Sequence, residues 1–257
     1  MSREITLSQG ARLWLAASPE GTKGLILICP GGGYSWLSPR EAEPVAAAFQ
    51  AGGWGTAILY YTTRPDPGRP ALGDLPLRQA AEAARWLRGR YPEEKLVLCG
   101  FSAGGHLAGC CAAHWQVREA PRPDGLILGY PVITAGEHTH RETMENLMGP
   151  QGGSQRERDY YSVEKNVTGQ MPPVFCWHTV TDPDVPVWNS LLLAEALSAA
   201  KVPYELHLYP TGVHGLSLAT PEVEEPEKQR WADAHIASWL SLCLEWLDAL
   251  AGNNEKE

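Results

Sequence analysis

No run of lysine or arginine occurs in these 257 residues, and acidic side chains outnumber basic ones 30 to 21, for a formal net charge of −9. That balance repels phosphate backbones and anionic headgroups, which excludes nucleic acid and membrane surfaces as expected partners. No apolar stretch reaches the roughly 18 residues that a bilayer-spanning helix requires. The opening segment "MSREITLSQGARLWLAASPE" also lacks the unbroken apolar centre of a secretory signal. A soluble, cytoplasmic protein is the expectation.

A disulfide framework is not expected either. Of the six cysteines, Cys29, Cys99 and Cys176 fall in apolar strand-like runs, and Cys110, Cys111 and Cys243 in helical ones. Buried free thiols fit that placement, as does a reducing compartment. In such a compartment the sequon Asn166-Val167-Thr168 carries no glycan.

What is present is an alternation of two patterns. Ile5 to Leu7 and Arg12 to Leu15 alternate in polarity around Gly10 and predict an N-terminal antiparallel hairpin. Beyond it, "GLILIC" (24–29), "TAILYY" (56–61), "KLVLCG" (95–100), "GLILGY" (125–130), "PVFCWH" (173–178) and "YELHLY" (204–209) read as strands buried on both faces. Helical patterns lie between them at 40–52, 75–91, after Ser102, and at 187–200. A last helical pattern at 229–250 places Ile236, Trp239, Leu240, Cys243, Leu244, Trp246, Leu247 and Leu250 on one stripe.

Strand and helix taking turns over this length predict one α/β domain over 1–257: a mostly parallel sheet of about eight strands with helices on both faces. One segment breaks the rhythm. Residues 134–169 are polar and weakly periodic, which suits a lid-like or loop insertion, or a surface excursion.

Chemistry concentrates where strands end. "KLVLCGFSAGGHLAGCCAAH" (95–114) carries Gly100-Phe101-Ser102-Ala103-Gly104 between a buried strand and a helix of small residues. Two explanations compete: a tight turn whose serine caps the helix, or an elbow that exposes a nucleophilic hydroxyl above the sheet. A serine nucleophile needs a base and a carboxylate to orient that base. After the strand at 173–178 come Asp182 and Asp184, and after that at 204–209 comes His214 beside Gly212 and Gly215. Asp182 is nearer its strand end and is favoured; Asp184 is the alternative acid, or a cap for the helix near Pro186. If His214 is the base it acts as the neutral imidazole, so turnover is expected to fall in acid.

An oxyanion also needs backbone donors. "CPGGGYSWL" follows the strand at 24–29, and glycines at 31–33 can turn an N–H inward to join that of Ala103. A phosphate-cradling loop fits less well, since no Lys-Ser/Thr follows and no G-x-G-x-x-G is present. Among the other histidines, His106 is placed beneath the elbow, His178 and His207 in the sheet, and His114, His138, His140 and His235 in solvent.

Together, "LILICPGGGYSWL", "ILYYTTRP", "LVLCGFSAGGHLAG", "PPVFCWHTVTDPDVPV" and "LHLYPTGVHGLSL" resemble the α/β-hydrolase superfamily. Within it they are similar to small esterases related to the hormone-sensitive-lipase group and to acetylxylan esterase-like proteins. The resemblance implies Ser102 as nucleophile, Asp182 as acid, His214 as base, and the N–H groups of Gly32, Gly33 and Ala103 as oxyanion donors. Pro30 stands where the lipase-like group has a histidine before the glycines, which leans toward the acetylxylan esterase-like branch.

The expected activity is hydrolysis of short-chain acyl esters, acetyl above all, carried by a sugar or xylo-oligosaccharide, through an acyl-enzyme with no cofactor and no metal. Tyr34, Trp36 and Trp188 lie near these motifs in sequence and offer rings for sugar stacking, or pack as core or rim aromatics. A prolyl-oligopeptidase-like peptidase and a non-catalytic binding module on the same fold are the rival readings.

Overall fold

A computed structural model describes residues 3–15 and 21–252. The hairpin forms from β1 (Arg3–Thr6) and β2 (Arg12–Leu15). The remaining strands are β3 (Leu25–Cys29), β4 (Gly55–Tyr60), β5 (Leu96–Phe101), β6 (Gly125–Gly129), β7 (Val174–Thr179) and β8 (Tyr204–Tyr209). They build one eight-stranded sheet in the order β1-β2-β4-β3-β5-β6-β7-β8. β2 pairs antiparallel with β4, and every pairing from β4 to β8 is parallel.

Strand pleating sorts the apolar runs into two cores. Leu25, Leu27 and Cys29 face one side of β3, where α2 (Leu75–Arg90), α3 (Ala103–Ala113) and α6 (Trp188–Ala199) cover them. Ile26 and Ile28 face the other, beneath α1 (Glu43–Ala51) and α7 (Ala234–Gly252). Nearly all of α3 is buried, which explains its run of Ala, Gly and Cys: only small side chains let a helix lie this close to the sheet. No helix among the described residues is long and apolar enough to cross a membrane.

Several expectations need adjusting. The helix placed at 40–52 begins at Glu43, after a 3-10 turn at Pro39–Glu41 that turns Glu41 inward. The last helix starts at Ala234, because Asp233 Oδ1 accepts the N–H groups of His235 and Ile236 and caps it there. Within it Ile236, Trp239, Cys243 and Leu247 are buried, and Leu240, Leu244, Trp246 and Leu250 pack partly exposed beside them. β8 is not buried on both faces: it ends the sheet, bonded to β7 alone, and Tyr204, Glu205 and Leu208 are exposed.

The segment 134–169 is folded. It holds α4 (Arg141–Met148), α5 (Gln155–Tyr161), whose Ser154–Glu157 capping box fixes its start, and a 3-10 turn at Val163–Asn166. α4 is tied to the loop after β3, with Asn146 Nδ2 donating to the Gly33 carbonyl at 2.9 Å.

Candidate active site

The chain runs from β3 to β4 on one side of the sheet and returns to β5 on the other, so the loops after β3 and β5 part at a topological switch point. A crevice opens at such points on the carboxyl edge of parallel strands. Both glycine-containing motifs lie there.

Ser102 occupies the turn from β5 into α3 with φ 52° and ψ −120°, a conformation that side-chain-bearing residues rarely adopt. The glycines beside it permit that turn. A Cβ on Gly100 would overlap the Gly104 carbonyl, and one on Gly104 would overlap the Cys29 carbonyl. The serine hydroxyl caps no helix N–H; it meets His214 Nε2 at 2.8 Å. The side chain is directed at an imidazole rather than at its own helix.

His214 Nδ1 donates to Asp182 Oδ2 at 2.7 Å, leaving Nε2 as the acceptor for the serine proton. Asp182 Oδ1 accepts the N–H groups of Asp184 and Val185, each at 2.9 Å. Burial opposes charge on Asp182, but hydrogen bonds from His178, His214 and Val185 outweigh it and hold the carboxyl well below the usual carboxylate range. Asp184 does not bond the imidazole and does not cap α6; it lines the cavity.

A cavity of about 150 Å³ opens over Ser102 and His214, walled by Gly32, Gly33 and Trp36. Gly32 and Gly33 adopt φ of +126° and +62°. Among the described residues no protein acceptor takes their N–H groups or that of Ala103, whereas the Gly31 N–H is bound to Glu41 Oε2 at 2.7 Å. Ala103 also begins α3, whose N-terminal dipole favours negative charge at this point.

Of the three aromatic residues picked out from sequence, only Trp36 lines this cavity; it is 45% exposed, with Lys228 Nζ 5.4 Å from its ring centroid. Tyr34 is a correction. It is 1% exposed, because its φ of 60° turns the ring inward, where its hydroxyl donates to His106 Nδ1 at 2.9 Å. Trp188 is exposed at the start of α6 but lies off the cavity wall, stacked on His138 with centroids 5.2 Å apart.

Other polar groups at the site had no role assigned from sequence. His178, expected in the sheet, is buried there and braces the acid from below: its Nε2 lies 3.0 Å from the Val185 carbonyl and 3.4 Å from Asp182 Oδ2, and Ser190 Oγ meets its Nδ1 at 2.8 Å. Its position four residues before Asp182 was the available signal. His140, expected in solvent, caps the cavity with Glu142; burial and the neighbouring His214 push its pKa down. His114 is likewise not solvated but stacked on Tyr160, centroids 4.1 Å apart. Arg230 Nε donates to the His214 carbonyl at 2.8 Å.

The sequence profile of the prolyl oligopeptidase family (Peptidase_S9) matches residues 66–245. The chain belongs to the prolyl oligopeptidase family. It is 31% identical to an acetyl ester-xyloside bifunctional hydrolase from Caldicellulosiruptor lactoaceticus, over 94% of this chain and 88% of that one, with a TM-score of 0.81. A carboxylesterase from Lactobacillus plantarum WCFS1 superposes with the same TM-score of 0.81 at 26% identity, covering 97% of this chain and 96% of its own. Endo-1,4-beta-xylanase B of Butyrivibrio fibrisolvens is 38% identical over 211 residues, 77% of this chain. The chain spans 33% of that xylanase's length. Family and fold together place this chain among the α/β-hydrolases.

Proposed function

We propose that the chain is a carboxylesterase that removes short acyl groups, acetyl above all, from a sugar or xylo-oligosaccharide, with Ser102, His214 and Asp182 as its catalytic triad. The observation that carries this is the continuous path from Asp182 through His214 to Ser102 Oγ, two contacts of 2.7 and 2.8 Å opening into the cavity. Ser102 Oγ attacks the ester carbonyl while His214 Nε2 takes its proton. The carbonyl oxygen becomes an oxyanion received by N–H groups of Gly32, Gly33 and Ala103. Collapse expels the alcohol, which leaves with the proton from His214, and the acyl group stays on Ser102. Water then loses a proton to His214, attacks the acyl carbon, and releases the acid as the proton returns to Ser102.

Three observations support the short acyl group and the sugar. The cavity is small, and its walls include Glu41, Glu142, Asp184 and Arg230, so a long alkyl chain would displace water from charged groups without gaining apolar contact. Trp36 offers an exposed ring at the rim, and the Caldicellulosiruptor relative is named for acetyl ester and xyloside hydrolysis. In the same proposal the folded segment 134–169 serves as a lid-like wall, contributing His140 and Glu142 to the cavity.

The test is a hydrolysis screen of p-nitrophenyl esters of increasing acyl length, acetylated xylo-oligosaccharides, and prolyl p-nitroanilides, the last because the family name denotes peptidases. Acetyl esters and acetylated sugars should turn over fastest. Preference for the anilides would overturn the esterase reading, and inactivity on every acetylated sugar would remove the sugar. Ser102→Ala should lower turnover about 10⁴-fold or more; a folded variant near the native rate would remove the nucleophile.

A further inference from the structure

Glu41 is a carboxylate only 3% exposed, beside the proposed reaction centre, for which the mechanism above has no use. A buried carboxylate persists only where donors satisfy it. Its two oxygens are taken by different parts of the site: Oε2 accepts the Gly31 N–H at 2.7 Å, and Oε1 accepts the Tyr130 hydroxyl at 2.6 Å. The Tyr130 oxygen in turn accepts the Ser217 N–H at 3.0 Å, and the Tyr130 ring stands edge-on to His214 with centroids 5.0 Å apart. A Cβ on Gly31 would lie 2.7 Å from Glu41 Oε2 and 3.0 Å from Ser102 Cβ, so carboxylate and serine flank the same glycine.

We propose that Glu41 is a positioning residue that sets the loop bearing Gly32 and Gly33 through Gly31, and steadies His214 through Tyr130. By taking the Gly31 N–H it fixes the peptide orientation from which the next two N–H groups project. Through Tyr130 it couples that loop to the segment after β8, three residues beyond the imidazole. Its neighbour Arg40 makes the same connection, donating to the Gly215 carbonyl at 2.7 Å and accepting from Ser217 Oγ at 2.6 Å.

Charge and geometry predict opposite outcomes here, which makes the proposal decidable. A negative group near a developing oxyanion opposes it by Coulomb repulsion, so neutralising Glu41 without moving anything should speed acylation. If its work is to hold donors in place, the same change should slow it. Glu41→Gln keeps the shape but has one acceptor for two donors; Glu41→Asp keeps the charge but shortens the reach.

The proposal rests on Ser102 being the nucleophile. With p-nitrophenyl acetate, both variants should lose about 10- to 100-fold in kcat with KM changed less than about threefold. The inhibition constant of a trifluoromethyl ketone, which forms a tetrahedral adduct on the serine, should rise by the same factor. A folded Glu41→Gln with kcat at or above the native value, or with unchanged ketone affinity, would overturn the proposal. Should the Glu41 variants fail to fold, Tyr130→Phe carries the test, with a parallel loss in kcat and ketone affinity expected and no change in either overturning it. A fluorophosphonate probe separates the two layers: no labelling of the native Ser102 would sink the nucleophile itself. Labelling of Glu41→Gln as fast as the native chain would sink only the positioning role.

Discussion

His106 lies one turn into α3, buried beneath the elbow, and its neutrality is part of the fold. Tyr34 donates to its Nδ1, so Nε2 carries the hydrogen and donates to the Tyr161 carbonyl at 2.7 Å. Burial pushes its pKa from 6.5 down to about 4. Between those values the unfolded chain takes up a proton that the folded chain refuses, so stability falls as pH drops through that window, by roughly 3 kcal/mol in total from this ring. Asp182, whose carboxyl is held low, acts in a separate and more acidic window: its contribution is present above the ordinary carboxylate pKa and is lost as pH falls through its own. His106→Gln offers one acceptor and one donor in place of the ring nitrogens, without a titrating group. Thermal unfolding at pH 7.5 and 4.5 should therefore show a smaller difference in Tm for the variant than for the native chain, and an equal difference would exclude His106 as the source.

At the scale of elements, the junction of β5 with α3 has no room for change. Gly104→Ala would drive a methyl group into the Cys29 carbonyl of the neighbouring strand, and should cost more than about 3 kcal/mol along with Ser102 reactivity. Gly89→Ala is the contrast: it sits in the last turn of α2 with nothing near its added Cβ, and should raise stability by about 0.5–1 kcal/mol. Denaturant titration of both checks the pair, and a Gly104→Ala chain as stable as the native one would refute the packing account.

The elbow was legible because its constraints are local. Strand, glycine, serine, glycine and small-residue helix follow one another in the chain, as do the strands that deliver Asp182 and His214. What could not be read depends on distant partners. The apolar run of β8 resembles that of a central strand, and only the sheet order reveals that it stands at an edge. Tyr34 and Trp36 are two residues apart, yet a single positive φ sends one ring into the core and leaves the other at the rim. His140 and Glu142 reach the cavity through the packing of α4, for which the polar sequence at 134–169 gave only a weak periodic signal.

Across the whole molecule, all six cysteines are reduced and buried in the two cores. Burial pushes Cys111 and Cys176 up to about 12 and the others in the same direction, so no thiolate is available at neutral pH. Ellman's reagent should titrate no thiol in the native protein within minutes and all six in guanidinium; a single fast thiol in the native state would contradict this burial.

Ser102 and His214 are 112 positions apart and meet only when β5 and β8 are both seated in the sheet. A refolding chain with β3 to β6 paired but β7 and β8 still loose would hold a formed elbow and no base beside it. With Ser102 as the proposed nucleophile, its reactivity would serve as a clock for docking of the last strands, reporting a step that measurements of helix content pass over.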